Sequence, residues 1–246
     1  MMCPMDTTGD IERNFDSELD CFLRACGHDD RWRVIEVLKD ADATGSTEVV
    51  VPAGAPVAHG SFDSAVPRYV RKVYPAQSDG ADVYEVLQRA QQVGLFIDHV
   101  PKIVECLRGP ERRSVVMEYV EGPTLSEYIS SGNVSPAAVK YLFLQICMAV
   151  RELHECINPP VIHRDLKPSN IIISPSGPQL IDFGIARLWH EGAECDTTHF
   201  GTRRYAPPEQ FGFGQTSVRS DIYALGKVLF FCLTGRQPPN AMDVSS

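Results

Sequence analysis

HRDLKPSNIIISPSGPQLIDFG, residues 163–184, decides how the rest of the chain is read. Its middle predicts a strand over residues 170–174, the turn Pro175-Ser176-Gly177-Pro178, and a second strand over residues 179–182. Polar residues crowd both ends of that hairpin. Asp165 and Lys167 stand before it, Asn170 opens its first strand, and Asp182 closes its second, 17 positions after Asp165. Upstream, Ser135 and Pro136 pair a capping hydroxyl with a proline at the first helical position. Val139, Leu142, Ile146, Val150 and Leu153 then line one helix face. Downstream, residues 221–233 are apolar nearly all round, the pattern of a helix surrounded on every side.

Further out the character changes. Between residues 32 and 73, β-branched runs (Val34-Ile35, Val49-Val50-Val51, Val70 and Val73) are separated by turn formers and read as a mostly antiparallel sheet. Residues 81–93 carry a helical pattern, and residues 114–117 read as another short strand. In residues 1–30, Ile11, Phe15, Leu19, Phe22 and Leu23 recur at helical spacing, with Asp10 available as a cap. A strand-rich first half and a helix-rich second half predict two lobes.

Composition narrows the function classes. The chain has 246 residues, 43% hydrophobic and 22% charged, which sets aside collagen-like, coiled-coil and wholly disordered readings. A net charge of -9 argues against a sequence-independent nucleic-acid binder, which needs a basic footprint. The eight cysteines form no C-x-x-C pair. Cys21, Cys26 and His28 lack a fourth ligand at finger-like spacing, so reduced, scattered thiols in a cytoplasmic protein are the expectation. Residues 1–20 are acidic without an apolar signal core, and residues 228–233, the longest apolar run, are too short to cross a bilayer. No membrane segment is expected.

Residues 163–170 and 182–184 closely resemble the catalytic loop and metal-binding segment of protein kinases, and the resemblance runs over residues 32–239. Phosphoryl transfer asks little covalent help of a protein, so such a site aligns reactants and neutralises charge. The resemblance implies that Asp165 accepts the proton of the incoming hydroxyl, that Lys167 faces the transferring phosphate, and that Asn170 and Asp182 offer oxygen ligands to magnesium. His163 is implied to pack on Phe183. GTRRYAPPEQ, residues 201–210, resembles the end of an activation segment, with Pro207-Pro208-Glu209 in place of Ala-Pro-Glu. SDIYALG, residues 220–226, resembles the start of the family's central helix, where Asp221 would anchor the catalytic-loop backbone.

The same resemblance gives ATP and Mg2+ as cofactors. It places Lys72 on the α- and β-phosphates, Glu85 as the ion-pair partner of Lys72, and Val70 and Ile172 among the nucleotide-binding residues. Met117 with Glu118, Tyr119 and Val120 matches the adenine-binding hinge. The apolar positions Val83, Val86, Ala90 and Val93 leave the facing of Glu85 open. Lys167, with Thr202 near the catalytic aspartate, resembles serine/threonine enzymes, and residues 205–226 are most similar to bacterial ones. Thr197 and Thr198 are the candidate phosphate acceptors that Arg164 would pair with, and read equally well as ordinary loop threonines. The implied fold is α+β and two-lobed: an extension over residues 1–30, a small sheet lobe with one helix over 31–120, and a mainly helical lobe over 121–246. The implied partner is a protein carrying a Ser or Thr hydroxyl.

Two departures qualify this. LKDADATGSTEVV, residues 38–50, has one glycine where the family keeps a G-x-G-x-x-G loop over the phosphates, and Asp40 and Asp42 add like charge there. The family also continues with several helices beyond the central one, so the expectation is a helical lobe without its last helices. Leu225, Val228, Leu229, Phe230 and Leu233 would then be under-covered, completed by a partner or by the amino-terminal helix. The alternatives to an active serine/threonine kinase are a catalytically weak or silent kinase-like binding module or truncated remnant, and a small-molecule phosphotransferase. Residues 201–209 weigh against the last.

Overall fold

The computed structural model describes residues 31–42, 44–56, 66–95, 97–132, 134–190, 202–211 and 214–240. The helix expected in residues 1–30 and the threonines Thr197 and Thr198 lie outside them. Among the described residues the chain forms two compact bodies: those up to 77 with 104–117, and those of 78–103 with those from 118 onward.

The first body is built on a five-stranded sheet: β1 (Trp32–Asp42), β2 (Gly45–Pro52), β3 (Tyr69–Pro75), β4 (Ile103–Arg108) and β5 (Arg112–Glu118), in the order β1-β2-β3-β5-β4. β2 pairs antiparallel with both β1 and β3. Val49, Val50 and Val51 on β2 and Val115 and Val116 on β5 are buried, each contributing on the order of 1.5–3 kcal/mol. Glu48 and Arg71 stand opposite each other across β2 and β3, and their side chains meet at 2.7 Å. β1 bulges three times along its register and leaves Val34, Val37 and Leu38 exposed. β4 was not anticipated, because Ile103-Val104-Glu105-Cys106 lacks both alternation and a flanking glycine upstream.

The second body holds α1 (Asp79–Gln92), α2 (Leu125–Ser130), α3 (Pro136–Glu155) and α4 (Val218–Thr234). It adds two small antiparallel pairs, β6 (Val161–Ile162) with β9 (Arg187–Leu188), and β7 (Ile171–Ser174) with β8 (Gly177–Leu180). α3 starts as expected, the Ser135 hydroxyl accepting the Ala138 N–H at 3.2 Å. All five residues of its predicted face are buried. α4 opens on a reciprocal cap between Ser217 and Ser220 and stops at Gly235, whose φ of 66° suits a residue without Cβ.

Two expectations are corrected. The β7–β8 loop is Pro175-Ser176 alone, with Ser174 paired to Gly177. The Ser174 hydroxyl donates to the Gly177 carbonyl at 2.8 Å and accepts the Ser176 N–H at 3.3 Å, closing the turn two residues early. The second strand therefore ends at Leu180, and Asp182 lies beyond it. α4 is not surrounded on every side: among the described residues Leu225 and Val228 are buried against their neighbours, whereas Ile222, Phe230 and Leu233 are exposed. Of the five α4 side chains named in the sequence, Phe230 and Leu233 are exposed, Leu229 is half-buried, and Leu225 and Val228 are buried.

Candidate active site

β6 delivers the chain into residues 163–170, and a buried carboxylate below them sets the loop's shape. Asp221, in the first turn of α4, is fully buried. Its Oδ2 accepts the His163 N–H and its Oδ1 the Arg164 N–H, both at 2.9 Å, and His154 Nε2 meets Oδ2 at 2.8 Å. Arg164 sits at φ 66°, a left-handed conformation that costs a residue with Cβ about 1–2 kcal/mol. Both of its peptide groups are held: the N–H by Asp221, and the carbonyl by the Gln210 amide at 2.7 Å. His163 is buried and packs on Phe183 with ring centroids 4.8 Å apart. Burial pushes its imidazole below the ordinary value, against the pull of the Asp221, Asp165 and Asp182 carboxylates. A neutral ring matches the Asp165 N–H donating to His163 Nδ1 at 3.4 Å.

Asp165 is the hub. Its Oδ2 accepts from Lys167 Nζ at 2.7 Å and Asn170 Nδ2 at 3.0 Å, and its Oδ1 accepts from Thr202 Oγ1 at 3.0 Å and Thr202 N–H at 3.3 Å. Lys167 Nζ also donates to Thr202 Oγ1 at 2.9 Å. Four donors leave the carboxylate a fixed orientation on one edge of the site, with 13% of its side chain still exposed, enough to meet a ligand. Asn170 is buried and spends its amide N–H2 on the Asp165 side chain and backbone, which leaves the amide oxygen as the atom a cation could use. Its carbonyl accepts the Ile181 N–H at 2.9 Å, tying the loop to the residue before Asp182. Asp182 takes φ 68°, and its Oδ1 is 3.4 Å from the Gly184 N–H. Asparagine amide and aspartate carboxylate are hard oxygen donors and fit magnesium, which keeps several waters and phosphate oxygens in its shell.

The remaining sequence-derived positions divide between the bodies. In the first, Lys72 is buried on β3 opposite Thr47, Val70 is half-buried opposite Val49, and Met117 is buried near the end of β5. In the second, Glu118 is exposed with its N–H on the Lys102 carbonyl at 2.9 Å, and Val120 and Ile172 are half-buried. Glu85 lies 3.6 Å from Arg89. On α1, Gly80 and Tyr84 approach residues 183–184, and Glu85 follows Tyr84 about 100° further round the helix.

Several contributors were missed in the sequence. His154 carries no motif signature, and Gln210 closes the quoted residues 201–210 without any sign there that its amide reaches the Arg164 carbonyl. Glu209 accepts from the Ser220 hydroxyl at 2.8 Å, so the serine that caps α4 also holds the turn at residues 208–211. Tyr84 has no local signal either, because the group its hydroxyl meets, the Phe183 N–H, is 99 residues away.

A model of the protein kinase domain family matches residues 70–246. The chain is 40% identical over 157 residues to the serine/threonine-protein kinase PrkC of Bacillus subtilis, covering 61% of this chain and 24% of that one. It is 38% identical over 128 residues to the serine/threonine-protein kinase PknB of Mycobacterium leprae, covering 50% of this chain and 20% of that one. The chain thus spans roughly a fifth to a quarter of the length of the curated relatives it matches. Among the described residues no helix is long and apolar enough to cross a membrane.

Proposed function

Because this chain belongs to the protein kinase family, we propose that it is an ATP-dependent serine/threonine protein kinase, moving the γ-phosphoryl of Mg-ATP to a protein hydroxyl. The observation that carries this reading is the Asp165 carboxylate, held by Lys167, Asn170 and Thr202 with an edge left to solvent. A carboxylate so placed orients the incoming Ser or Thr hydroxyl and takes its proton as the new P–O bond forms. Lys167 sits beside it as the cation for the transferring oxygens, and Thr202 fixes the spacing between the two. Magnesium, when bound by Asn170 and Asp182, supplies charge neutralisation on the phosphates. Lys72, Val70, Met117, Glu118, Val120 and Ile172 are assigned to nucleotide binding and Glu85 to its support, all by position in the family's order. ATP as co-substrate and reduced cysteines favour the cytoplasm as its place of work.

A second reading, a weak or silent kinase-like module, is favoured by one feature, the β1–β2 turn. There Asp42 Oδ1 accepts the Thr44 N–H and the Thr44 hydroxyl, both at 2.7 Å, so that loop amide is already spent. Labelled ATP, magnesium and a generic protein substrate separate the two readings. Transfer above that of an Asp165→Asn control is expected, and transfer no higher than the control would leave the silent module standing.

A further inference from the structure

Asp182 is a residue with a Cβ held at φ 68°, where L side chains are strained. Such a conformation persists only where its surroundings over-determine it. Part of what does so here comes from α1. The Tyr84 hydroxyl accepts the Phe183 N–H at 3.0 Å, and the Tyr84 ring, itself buried, meets the Phe183 ring edge-on at 5.6 Å. One turn earlier, Gly80 lets the helix backbone approach so closely that a Cβ would lie 2.3 Å from the Phe183 carbonyl oxygen and 2.5 Å from that of Gly184. On its far side Phe183 rests on His163, and the Ala186 N–H closes a turn on the Phe183 carbonyl at 3.1 Å.

We propose that Tyr84 is a positioning residue for phosphoryl transfer: its hydroxyl pins the peptide that follows Asp182, Gly80 supplies the clearance, and together they aim the Asp182 carboxylate. The inference rests on the kinase reading only in naming Asp182 as the group that is aimed. A ring alone would fill this space, and a phenylalanine would do so without a polar atom. The hydroxyl is what satisfies a buried N–H that the left-handed turn takes out of any strand ladder, and an unpaired buried N–H is costly.

Tyr84→Phe keeps the ring and removes the acceptor. Hydrogen exchange of a peptide spanning residues 181–186 in the full chain should then show the Phe183 amide opening about tenfold faster. In the transfer assay kcat should fall about tenfold, the magnesium half-saturation should rise several-fold, and KM for ATP should change less than about twofold, because ATP's other contacts are untouched. Gly80→Ala should show the same exchange signature at the same peptide, without removing the hydroxyl. Equal exchange rates in Tyr84→Phe and wild type overturn the proposal, as does faster exchange with kcat and magnesium dependence unmoved. If wild type transfers no phosphate, the kinase reading falls, and the exchange comparison alone decides whether the Tyr84 contact holds residues 182–184.

Discussion

Two aspartates, Asp165 in the second body and Asp42 in the first, each gather a lysine and a threonine, and they do so in opposite ways. The partners of Asp165 are 2, 5 and 37 residues away in sequence. Those of Asp42 are 2 and 3 away, at the tip of one hairpin. The first network exists only when the body has folded, and it leaves a half-buried carboxylate aimed by groups that cannot follow it if it moves. The second closes within a few residues, in full contact with water, and spends the polar groups of the loop on one another. Long-range satisfaction builds a site; short-range satisfaction stabilises a turn. The difference also tells where function is most sensitive to substitution.

The largest effect belongs to the hub. Asp165→Asn keeps the volume, yet it turns an acceptor of four donors into a group that must present an N–H2 to one pair of them. On the proposed kinase reading, loss of the proton acceptor on top of that misfit should lower transfer at least about 10³-fold. A single-turnover assay with labelled ATP reads this directly, and activity within tenfold of wild type would mean that the network is structural only.

Asp221→Asn tests the layer beneath. One Asn oxygen cannot serve the His163 and Arg164 N–H groups and His154 together. A buried network broken on one side costs about 3 kcal/mol, read as a drop in the denaturant midpoint at constant slope. The matched change in the hairpin, Asp42→Asn, should leave the midpoint where it is, since exposed pairs contribute little. Equal shifts in the two variants would erase the distinction between the bodies.

How much of this was legible follows the same division. Residues 163–170 could be read because their chemistry is compressed into eight positions, and the α3 face because periodicity reports burial directly. Thr202 was legible through its motif alone; its 2.9 Å contact with Lys167 spans 35 residues and has no local trace. Tyr84, Gln210 and His154 act across 99, 46 and 67 residues, and no spacing rule reaches so far. The β7–β8 turn departs from its sequence pattern for a local reason: Pro178 has the character of a turn former, but in a two-stranded pair a residue without N–H is tolerated, and its carbonyl meets His99 Nδ1 at 3.0 Å.

Thr202→Val is the intermediate case. It removes the hydroxyl that joins Asp165 to Lys167 while leaving the Thr202 N–H in place. Lost alignment without lost chemistry should reduce kcat about tenfold and leave KM for ATP unchanged. Thr202→Ser should restore most of it. A serine variant as poor as the valine one would place the importance of the site in the methyl group's packing.

The smallest effect is expected at Asp42, and it bears on whether a self-satisfied turn limits nucleotide binding. The Thr44 hydroxyl and N–H, then Lys39, hold the Asp42 carboxyl down to about 2 from an ordinary 3.8. A depressed carboxyl favours the folded turn above the ordinary value and loses that contribution as pH falls, here between about pH 4 and pH 2, so the Thr44 amide resonance should shift over that interval and not between pH 5 and 8. Gly45 adds to the closure: at φ 115° it approaches the Val73 carbonyl so closely that a Cβ would lie 1.9 Å from its oxygen. Asp42→Asn removes the charge but keeps an acceptor for the Thr44 N–H, whereas Asp42→Gly removes both and frees an amide for a phosphate oxygen. Calorimetric binding of Mg-ADP should therefore tighten about twofold for asparagine and about fivefold for glycine, the range of one exposed charge and one hydrogen bond. Tightening in glycine alone would put the amide before the charge, because asparagine already tests the charge by itself. No tightening in either would mean that the turn's local network does not limit nucleotide binding, and that the contrast between the two aspartates is one of stability only.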